Sequence, residues 1–423
     1  MKYERRILDD ELDALLQGLA AVALEGPKAV GKTATALQRA GTVYRLDDPA
    51  QAEVAMADPG RLARGREPIV IDEWQRVGAT WDVVRRAVDE DPRPGRFLLT
   101  GSASPASPPT HSGAGRIVRV RMRPLSLAER GLAAPTVSLG RMLGAPGAPI
   151  RGETPIDLET YAEEIVRSGF PGMRALTGRA LRTQLDGYID RIVDHDFEEM
   201  GHKVRRPGML RRWLAAYAAA TATTSTIEAI RDAATSNEGD KPARATVLSY
   251  REVLGRLWIL DPVPAWVPSR NPLSRLAYPE KHHIADPALA ARLLGIDLPR
   301  LIEGGEGSVT MPRDGSLLGH LFESLVAQSV RIYAQAAEAT VGHLRTKGGR
   351  QEVDLVVERA DGRVVALEVK LARTVTDHDV RHLLWLREQI GQDLLDAAII
   401  TTSPSAYRRT DGIAVIPAAL LGP

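Results

Sequence analysis

The chain has no cysteine among its 423 residues. A disulfide framework, a thiolate zinc site and a cysteine nucleophile are therefore excluded, and a reducing cytoplasm fits best. Phenylalanine occurs four times, beside abundant Ala, Arg, Gly and Pro, a bias that reads as genome-wide drift rather than function. Neither sign of charge is in excess, with 55 Lys and Arg against 54 Asp and Glu. Any nucleic acid must then be met by basic residues gathered on one surface, because the average charge offers no general attraction to phosphate. Long apolar runs are also missing: no segment approaches a membrane span, and the opening "MKYERRILDDELDALL" is charged and amphipathic, without the apolar core of a signal segment. The expectation is a cytoplasmic protein of several folded units that meets no membrane.

What is present is patterned. Up to about residue 125, short apolar strands ("AVALEG", "REPIVIDE", "GRFLLTGS") alternate with helical stretches, which implies an α/β unit with a parallel sheet. The small, proline-rich "SASPASPPTHSGAG" (102–115) reads as a mobile loop, and "GAPGAPIRGETP" (144–155) as a linker. Helical periodicity dominates from about 156 to 300. Within that stretch a short helix, a turn, a longer helix and a strand-like run suit a winged helix-turn-helix. The remainder holds an amphipathic helix, a hairpin, and a closing helix and strand.

"LEGPKAVGKTAT" contains G-x-x-x-x-G-K-T, with Gly26, Gly31, Lys32 and Thr33 in place and Pro27, Val30 and Ala34 filling the loop. Glycines let the backbone N–H groups point at phosphate, Lys32 reaches the terminal phosphates, and Thr33 can ligate Mg²⁺. A strand before and a helix after give the match its context, although Gly-rich turns also join strands to helices for steric reasons. "PIVIDEW" ends a strand in Asp72 and Glu73, placed to hold Mg²⁺ and to polarise the attacking water. Thr100 and Ser102 end a third strand, as γ-phosphate sensors or as turn formers. Arg116 is the candidate for the transition-state charge, against the alternative of a solvated arginine beside a strand. The cofactors implied are ATP and Mg²⁺.

"RQEVDLVVERADGRVVALEVK" (350–370) reads as two strands folded back by the turn pair Asp361–Gly362. Side-chain alternation places Glu368 and Lys370 on one side of their strand and lets Asp354 approach Glu368 across the sheet. Two carboxylates and a carbonyl suit Mg²⁺ or Mn²⁺, with a lysine to orient a water. An ordinary surface hairpin is the alternative, but "VVALEVK" is apolar enough for a strand buried on both faces. Upstream, Arg345 and Lys347 either hold a DNA phosphate or form a solvated basic loop. His343, His378 and His382 are too scattered for a metal site.

Asp354, then Glu368-x-Lys370, after a helix carrying Glu323, resembles the PD-(D/E)xK restriction-endonuclease-like signature. The chain as a whole resembles bacterial and archaeal ATPases that join an AAA-type P-loop domain to a C-terminal domain of the DUF4143 type. The resemblance is carried by "GPKAVGKT", "IVIDEWQ", "FLLTGSAS", "GRIVRVRMRPLSLAE", "RSGFPG", "HHIADPALAARLLG", "GHLFESLVA" and "HLRTKGGRQEVDLVVE" with "VVALEVK". It implies an AAA-type ATPase domain over 1–150, a helical and winged-helix domain over 151–305 and a nuclease-like α/β domain over 306–423. It places Glu323, Asp354, Glu368 and Lys370 in the positions of a metal site. Lys28 and Ala29 stand where relatives carry Arg-Gln. Asp196 and Asp286 match recurring positions without an evident chemical role.

In the middle, "ARATVLSYREVLGRL" reads either as a recognition helix presenting Arg244, Arg251 and Arg256 to DNA phosphates, with Val247, Tyr250, Leu254 and Leu257 packed inward, or as a helical lid that relays nucleotide state or mediates oligomerisation. The leading expectation is an ATP-dependent DNA-binding ATPase whose nuclease-like end acts on DNA. Two others stand beside it: a nucleotide-dependent regulator whose nuclease-like end only binds nucleic acid or a partner, and an oligomeric DNA motor without cleavage.

Overall fold

The computed structural model describes residues 3–102, 113–144, 147–235, 241–268, 278–303 and 316–423. Most of the proline-rich stretch 102–115 thus lies outside the described residues.

The first unit runs α1 (Ile7–Gly18), β1 (Ala21–Glu25), α2 (Lys32–Leu37), β2 (Thr42–Arg45), α3 (Pro49–Ala57), β3 (Ile69–Asp72), α4 (Thr80–Glu90), β4 (Phe97–Gly101) and β5 (Ile117–Arg121). Its strands lie in the order β2-β3-β4-β1-β5, each pair parallel. "AVALE", "IVID" and "FLLTG" are continuous apolar runs because every residue in them is buried, with helices covering both faces. The register sets Leu24 and Asp72 on either side of Thr100, so the β1, β3 and β4 ends form one edge, where open α/β sheets bind ligands.

The chain then makes β6 (Val137–Ser138), α5 (Leu139–Gly144) and β7 (Gly152–Glu153), followed by α6 (Leu158–Arg167) and α7 (Gly178–Arg191). The last of these continues through a π-helical turn, Ile192–Asp196, into α8 (Phe197–Glu199). Next come α9 (Pro207–Ala219), α10 (Ile227–Ala233) and α11 (Arg244–Arg256). After α11, residues 259–263 pair antiparallel with 281–285 through Asp261 N–H to His283 C=O and a reciprocal pair between Val263 and Lys281, each 2.9 Å. Two helices precede this short ladder, whose two strands we term the wing, and within the connection between them residues 269–277 lie outside the described residues. Two short helices, α12 (Pro287–Leu293) and α13 (Leu298–Glu303), close the middle.

The C-terminal unit comprises α14 (Ser316–Ala336), β8 (Thr340–Arg345), β9 (Glu352–Glu358), β10 (Val364–Val369), α15 (Asp377–Ile390), β11 (Leu394–Thr401), β12 (Ser405–Arg408), β13 (Ala414–Pro417) and β14 (Leu421–Gly422). Its mixed sheet has the order β7-β12-β13-β11-β10-β9-β8. The edge strand β7 comes from the linker-like stretch 144–155, and β6 pairs with β14. β7 therefore belongs to the C-terminal sheet and β6 to a separate two-stranded pairing with β14, so the expected boundary at 150 leaves β6 on its N-terminal side although its partner is the last strand described.

The sequence pattern of α14 suggests an amphipathic helix, yet every residue from 321 to 330 is buried. It is the central post of the molecule, packed against α1, α5, α6, α12 and the β8–β9 strands. Its buried hydroxyls accept backbone bonds from the first unit: Leu127 N–H to Ser329 Oγ and Ala128 N–H to Tyr333 Oη, both 3.0 Å.

Three arginines converge on one acid where the units meet. Asp261, at the start of the wing, pairs with Arg121 of β5 at 2.9 Å, Arg123 at 2.8 Å and Arg331 of α14 at 2.7 Å. Burial opposes its charge, but the three guanidinium groups hold the carboxyl far below its ordinary range. Burial draws Arg121 down to about 10 and Arg331 to about 9, still protonated at neutral pH. Removing one partner of such a cluster leaves uncompensated buried charge, so Asp261→Ala is expected to cost about 3–5 kcal/mol, read as a lowered denaturant midpoint. Because the folded acid is depressed, this stability is present above the ordinary carboxyl range and is lost as pH falls through and below it.

Candidate functional site

The phosphate loop is built by backbone conformation before any ligand arrives. Gly26 has φ 154° and Gly31 φ 106°. A Cβ at Gly26 would stand 2.2 Å from the Met122 carbonyl oxygen, so no other residue fits there. Lys32 is buried, its ammonium folded back to donate to the Gly26 and Pro27 carbonyls, both at 2.8 Å. Burial draws it down to about 8. Val30 is fully buried behind the loop, and Ala34 lines the cleft beside Thr33.

Thr33 Oγ1 donates to Asp72 Oδ1 at 2.7 Å, and Thr100 donates to the same oxygen. A hydroxyl and a carboxylate side by side at the head of α2 are a hard-oxygen donor set that fits Mg²⁺, which keeps most of its waters and takes few protein ligands. Glu73 stands in the left-handed region at φ 52°, an uncommon conformation for a residue with a Cβ. Its carboxylate accepts from Ser102 Oγ at 3.2 Å and from Gln75. Thr100 and Ser102 thus orient the two acids.

These groups open into a cleft of about 570 Å³, closed on its far side by Pro171, Gly172 and Arg191 of the helical middle. Arg116 does not line it. Its guanidinium pairs with Asp89 of α4 at 2.7 Å, a correction to its expected nucleotide contact: it precedes the start of β5, which pairs with the start of β1, whereas the phosphate loop follows the end of β1. Arg76 and Arg191 face the cleft instead.

The same cleft gives Lys28 and Asp196 a role. Lys28 Nζ, on the phosphate loop, reaches Asp196 Oδ1 at 2.7 Å and Glu199 Oε2 at 2.9 Å. Arg191 approaches the same two carboxylates at 3.4 and 3.6 Å, and Arg76 approaches Glu199 at 4.0 Å. The π-helical turn carries Asp196 to this point, a device that recurs at functional positions. Asp286 has a structural role. It caps α12 through Ala288 N–H and accepts from Ser168 Oγ and Gly169 N–H, fixing the "RSGFPG" loop whose Pro171 and Gly172 border the cleft.

At the other end, the hairpin forms with every β10 residue buried, and Glu368 lies one step past the last paired residues, Leu367 and Leu355. Asp354 Oδ2 accepts from Val369 N–H at 2.9 Å, and Lys370 Nζ donates to Glu368 Oε1 at 2.8 Å. The structure brings Glu323, Asp354, Glu368 and Lys370 together. It also adds a residue that the sequence did not suggest. Lys281, from the second wing strand, inserts its ammonium among the acids at 2.8 Å from Glu323, 2.9 Å from Asp354 and 3.3 Å from Glu352.

Burial and then Asp354 push Glu323 and Glu368 up to about 8. Burial opposes charge on Asp354 and Lys281 as well, but Lys281 and Lys370 hold Asp354 low, and the acids hold Lys281 well above its ordinary value. As folded, the centre does not fit a divalent ion, because an ammonium already sits among the Glu323, Asp354 and Glu352 oxygens and a second one meets Glu368. Among the described residues, no open group of three or more His, Asp or Glu is poised for a metal.

The three α11 arginines do not form one row. At 100° per residue, Arg244 and Arg251 share a face, whereas Arg256 falls about 140° from Arg251. Arg251 is paired with Glu280 on the wing, and Arg244 is exposed. A neighbouring basic stretch escaped the sequence reading: Lys203 and Arg205 are exposed, in a loop whose His202 contacts Ser249 of α11. Arg345 and Lys347 line a cleft of about 580 Å³ with Tyr278, His343 and Gly348, and Arg345 also pairs with Glu352 at 3.4 Å. Lys281 lies just upstream of the quoted "HHIADPALAARLLG", where a lone lysine has no spacing that marks it.

Residues 20–130 match the AAA domain model, 158–300 match a domain of unknown function (DUF8612), and 318–421 match a domain of unknown function (DUF4143). Similar uncharacterized proteins occur in Mycobacterium tuberculosis and Mycobacterium bovis, each 26% identical over 429 residues, covering 99% of this chain and 84% of the relative. A Walker-type ATPase of Pyrococcus abyssi aligns over 69% of this chain and 96% of its own at 16% identity and a TM-score of 0.40. The ORC2 protein of Aeropyrum pernix aligns over 69% and 93% at 15% identity and 0.29, so neither likeness carries weight in the assignment. The family matches and the phosphate-loop geometry agree: the chain joins an N-terminal AAA-type P-loop ATPase domain to a C-terminal DUF4143 domain.

Proposed function

We propose that the protein is a Mg²⁺-dependent ATPase that couples nucleotide turnover to engagement of DNA, with the C-terminal unit as a nuclease-like binding platform. The observation that carries the coupling is the charge network at the cleft mouth. Lys28, Arg76 and Arg191 are shared between the place where phosphate charge would arrive and the Asp196–Glu199 pair of the helical middle. Nucleotide phosphates compete with those carboxylates for the same cations, so occupancy of the cleft is felt by α7 and α8.

Within the cleft, Lys32 and the loop N–H groups bind the phosphates. Thr33 and Asp72 would hold Mg²⁺, which would supply positive charge against the phosphate oxygens. Glu73, oriented by Ser102, accepts a proton from the attacking water. Thr100 fixes the carboxylate of Asp72.

DNA engagement is supported by Arg345 and Lys347 beside the carboxylate centre and by Lys203, Arg205 and Arg244 around α11. The placement of Lys281 favours binding over cleavage, which is the regulator-type reading in which this end recognises nucleic acid or a partner. A homo-oligomer would supply any further arginine to the cleft from a neighbouring subunit.

Lys32→Ala is expected to lower ATP turnover about a hundredfold or more, whereas Lys370→Ala leaves it unchanged. Equal loss in both variants would overturn the two-site reading. Single-stranded, duplex or branched DNA should raise the turnover of the wild type. The double variant Arg345→Ala/Lys347→Ala should weaken DNA binding and reduce its salt slope by about one per lost phosphate contact. Since burial holds the empty-state Lys32 at about 8 and phosphate needs its charged form, ATP affinity should fall about tenfold between pH 7 and 9. Proton uptake on binding, read by calorimetry in buffers of different ionisation enthalpy, checks the sign.

A further inference from the structure

Lys281 is 1% exposed and is fixed from both ends. Its backbone makes the reciprocal ladder bonds to Val263. The following residues continue the ladder, and His283 Nδ1 meets Ser324 Oγ of α14 at 3.2 Å, one position beyond Glu323. The opposite wing strand docks on β8 through Trp266 N–H to His343 C=O at 2.6 Å and His343 N–H to Pro264 C=O at 3.0 Å. The ammonium is thus delivered by a strand seated on both the helix and the sheet that carry the acids.

Two features of the centre exceed what a structural ion pair needs. The acids outnumber the cations that reach them: Glu323, Asp354 and Glu352 face Lys281, with Arg345 also meeting Glu352 at 3.4 Å, while Glu368 has only Lys370. Glu368 Oε2, in a residue 3% exposed, has no hydrogen-bond partner among the described residues, so a buried carboxylate oxygen of the centre stands unused. Asp354 is pre-oriented by the Val369 N–H, as a ligand is rather than a free surface acid.

We propose that Lys281 is a built-in cation that occupies the divalent-ion position of the Glu323–Asp354–Glu368 centre, so that the wing keeps this centre closed to metal. The inference rests on the nuclease-like reading of the C-terminal unit and assigns its control to the wing. An ammonium serves oxygens at hydrogen-bond distance, whereas Mg²⁺ and Mn²⁺ require them near 2.0–2.2 Å and bring two charges. One position cannot hold both. Removing the lysine leaves three hard-oxygen carboxylates with room for hydrated metal.

The test measures Mn²⁺ binding by the full chain without nucleotide, from the electron paramagnetic resonance signal of free Mn²⁺. Wild type and Asp354→Asn should take up the same amount, since the phosphate-loop contribution is common to both. Lys281→Met should bind one further equivalent, with a melting temperature raised by MnCl₂, and Lys281→Met/Asp354→Asn should lose both effects. Greater uptake by wild type than by Asp354→Asn overturns the proposal, as does a folded Lys281→Met with no added site. Should Lys281→Met fold neither with nor without Mn²⁺, the wild-type and Asp354→Asn pair decides. ATP turnover and DNA binding are read on the same preparations. Absence of DNA binding with the Mn²⁺ pattern intact removes the DNA reading alone.

Discussion

Asp261 and its three arginines are the joint that everything else hangs on. The acid stands at the root of the wing. Its partners come from the last strand of the ATPase sheet, from the segment just after it, and from the central helix α14. Buried charge is costly to assemble and costlier to leave half assembled, so the cluster tolerates few geometries. That intolerance fixes the wing against both neighbours. Because the same wing carries Lys281 on its other strand, one electrostatic joint also sets where a lysine meets the carboxylates of the C-terminal sheet.

The two acidic centres are made from similar donors and finish differently. At the phosphate loop, Asp72 is surrounded by hydroxyls from Thr33 and Thr100, neutral groups that a cation can share or displace. At the hairpin, Asp354 and Glu323 are already served by an ammonium, so a second cation would have to evict the first. One centre is open to solvent through its cleft. The other is sealed by a strand of the middle unit.

Much of this was legible in the sequence, for identifiable reasons. Phosphate loops and strand-end acids are local patterns, and Asp361–Gly362 between two apolar runs marks the hairpin within a few positions. The parallel ATPase sheet followed from its continuous apolar strands. Contacts between residues distant in the chain were not legible. Lys281 meets Asp354, and Lys28 meets Asp196, only because the fold carries them together. Arg256 was grouped with Arg244 and Arg251 by composition where helical phase separates it. Arg116 follows a loop in the sequence, but it stands at the start of β5, the opposite end of the strands from the phosphate loop that follows β1. The apolar stripe of α14 suggested one buried face, but its small and polar residues are buried too, since other units surround it.

The straps β6 and β7 have a consequence for how the chain is made. Their partners, β14 and β12, follow far later in the chain, so β7 waits through roughly 250 residues of synthesis, about ten seconds to a minute at 5–20 residues per second. During that interval the ATPase sheet can form, since its strands are consecutive in the chain, while the edge that will complete the C-terminal sheet remains unpaired. The nascent ATPase is therefore tethered to an unfinished sheet. Pairing of β7 with β12, rather than folding of the N-terminal sheet, closes that edge.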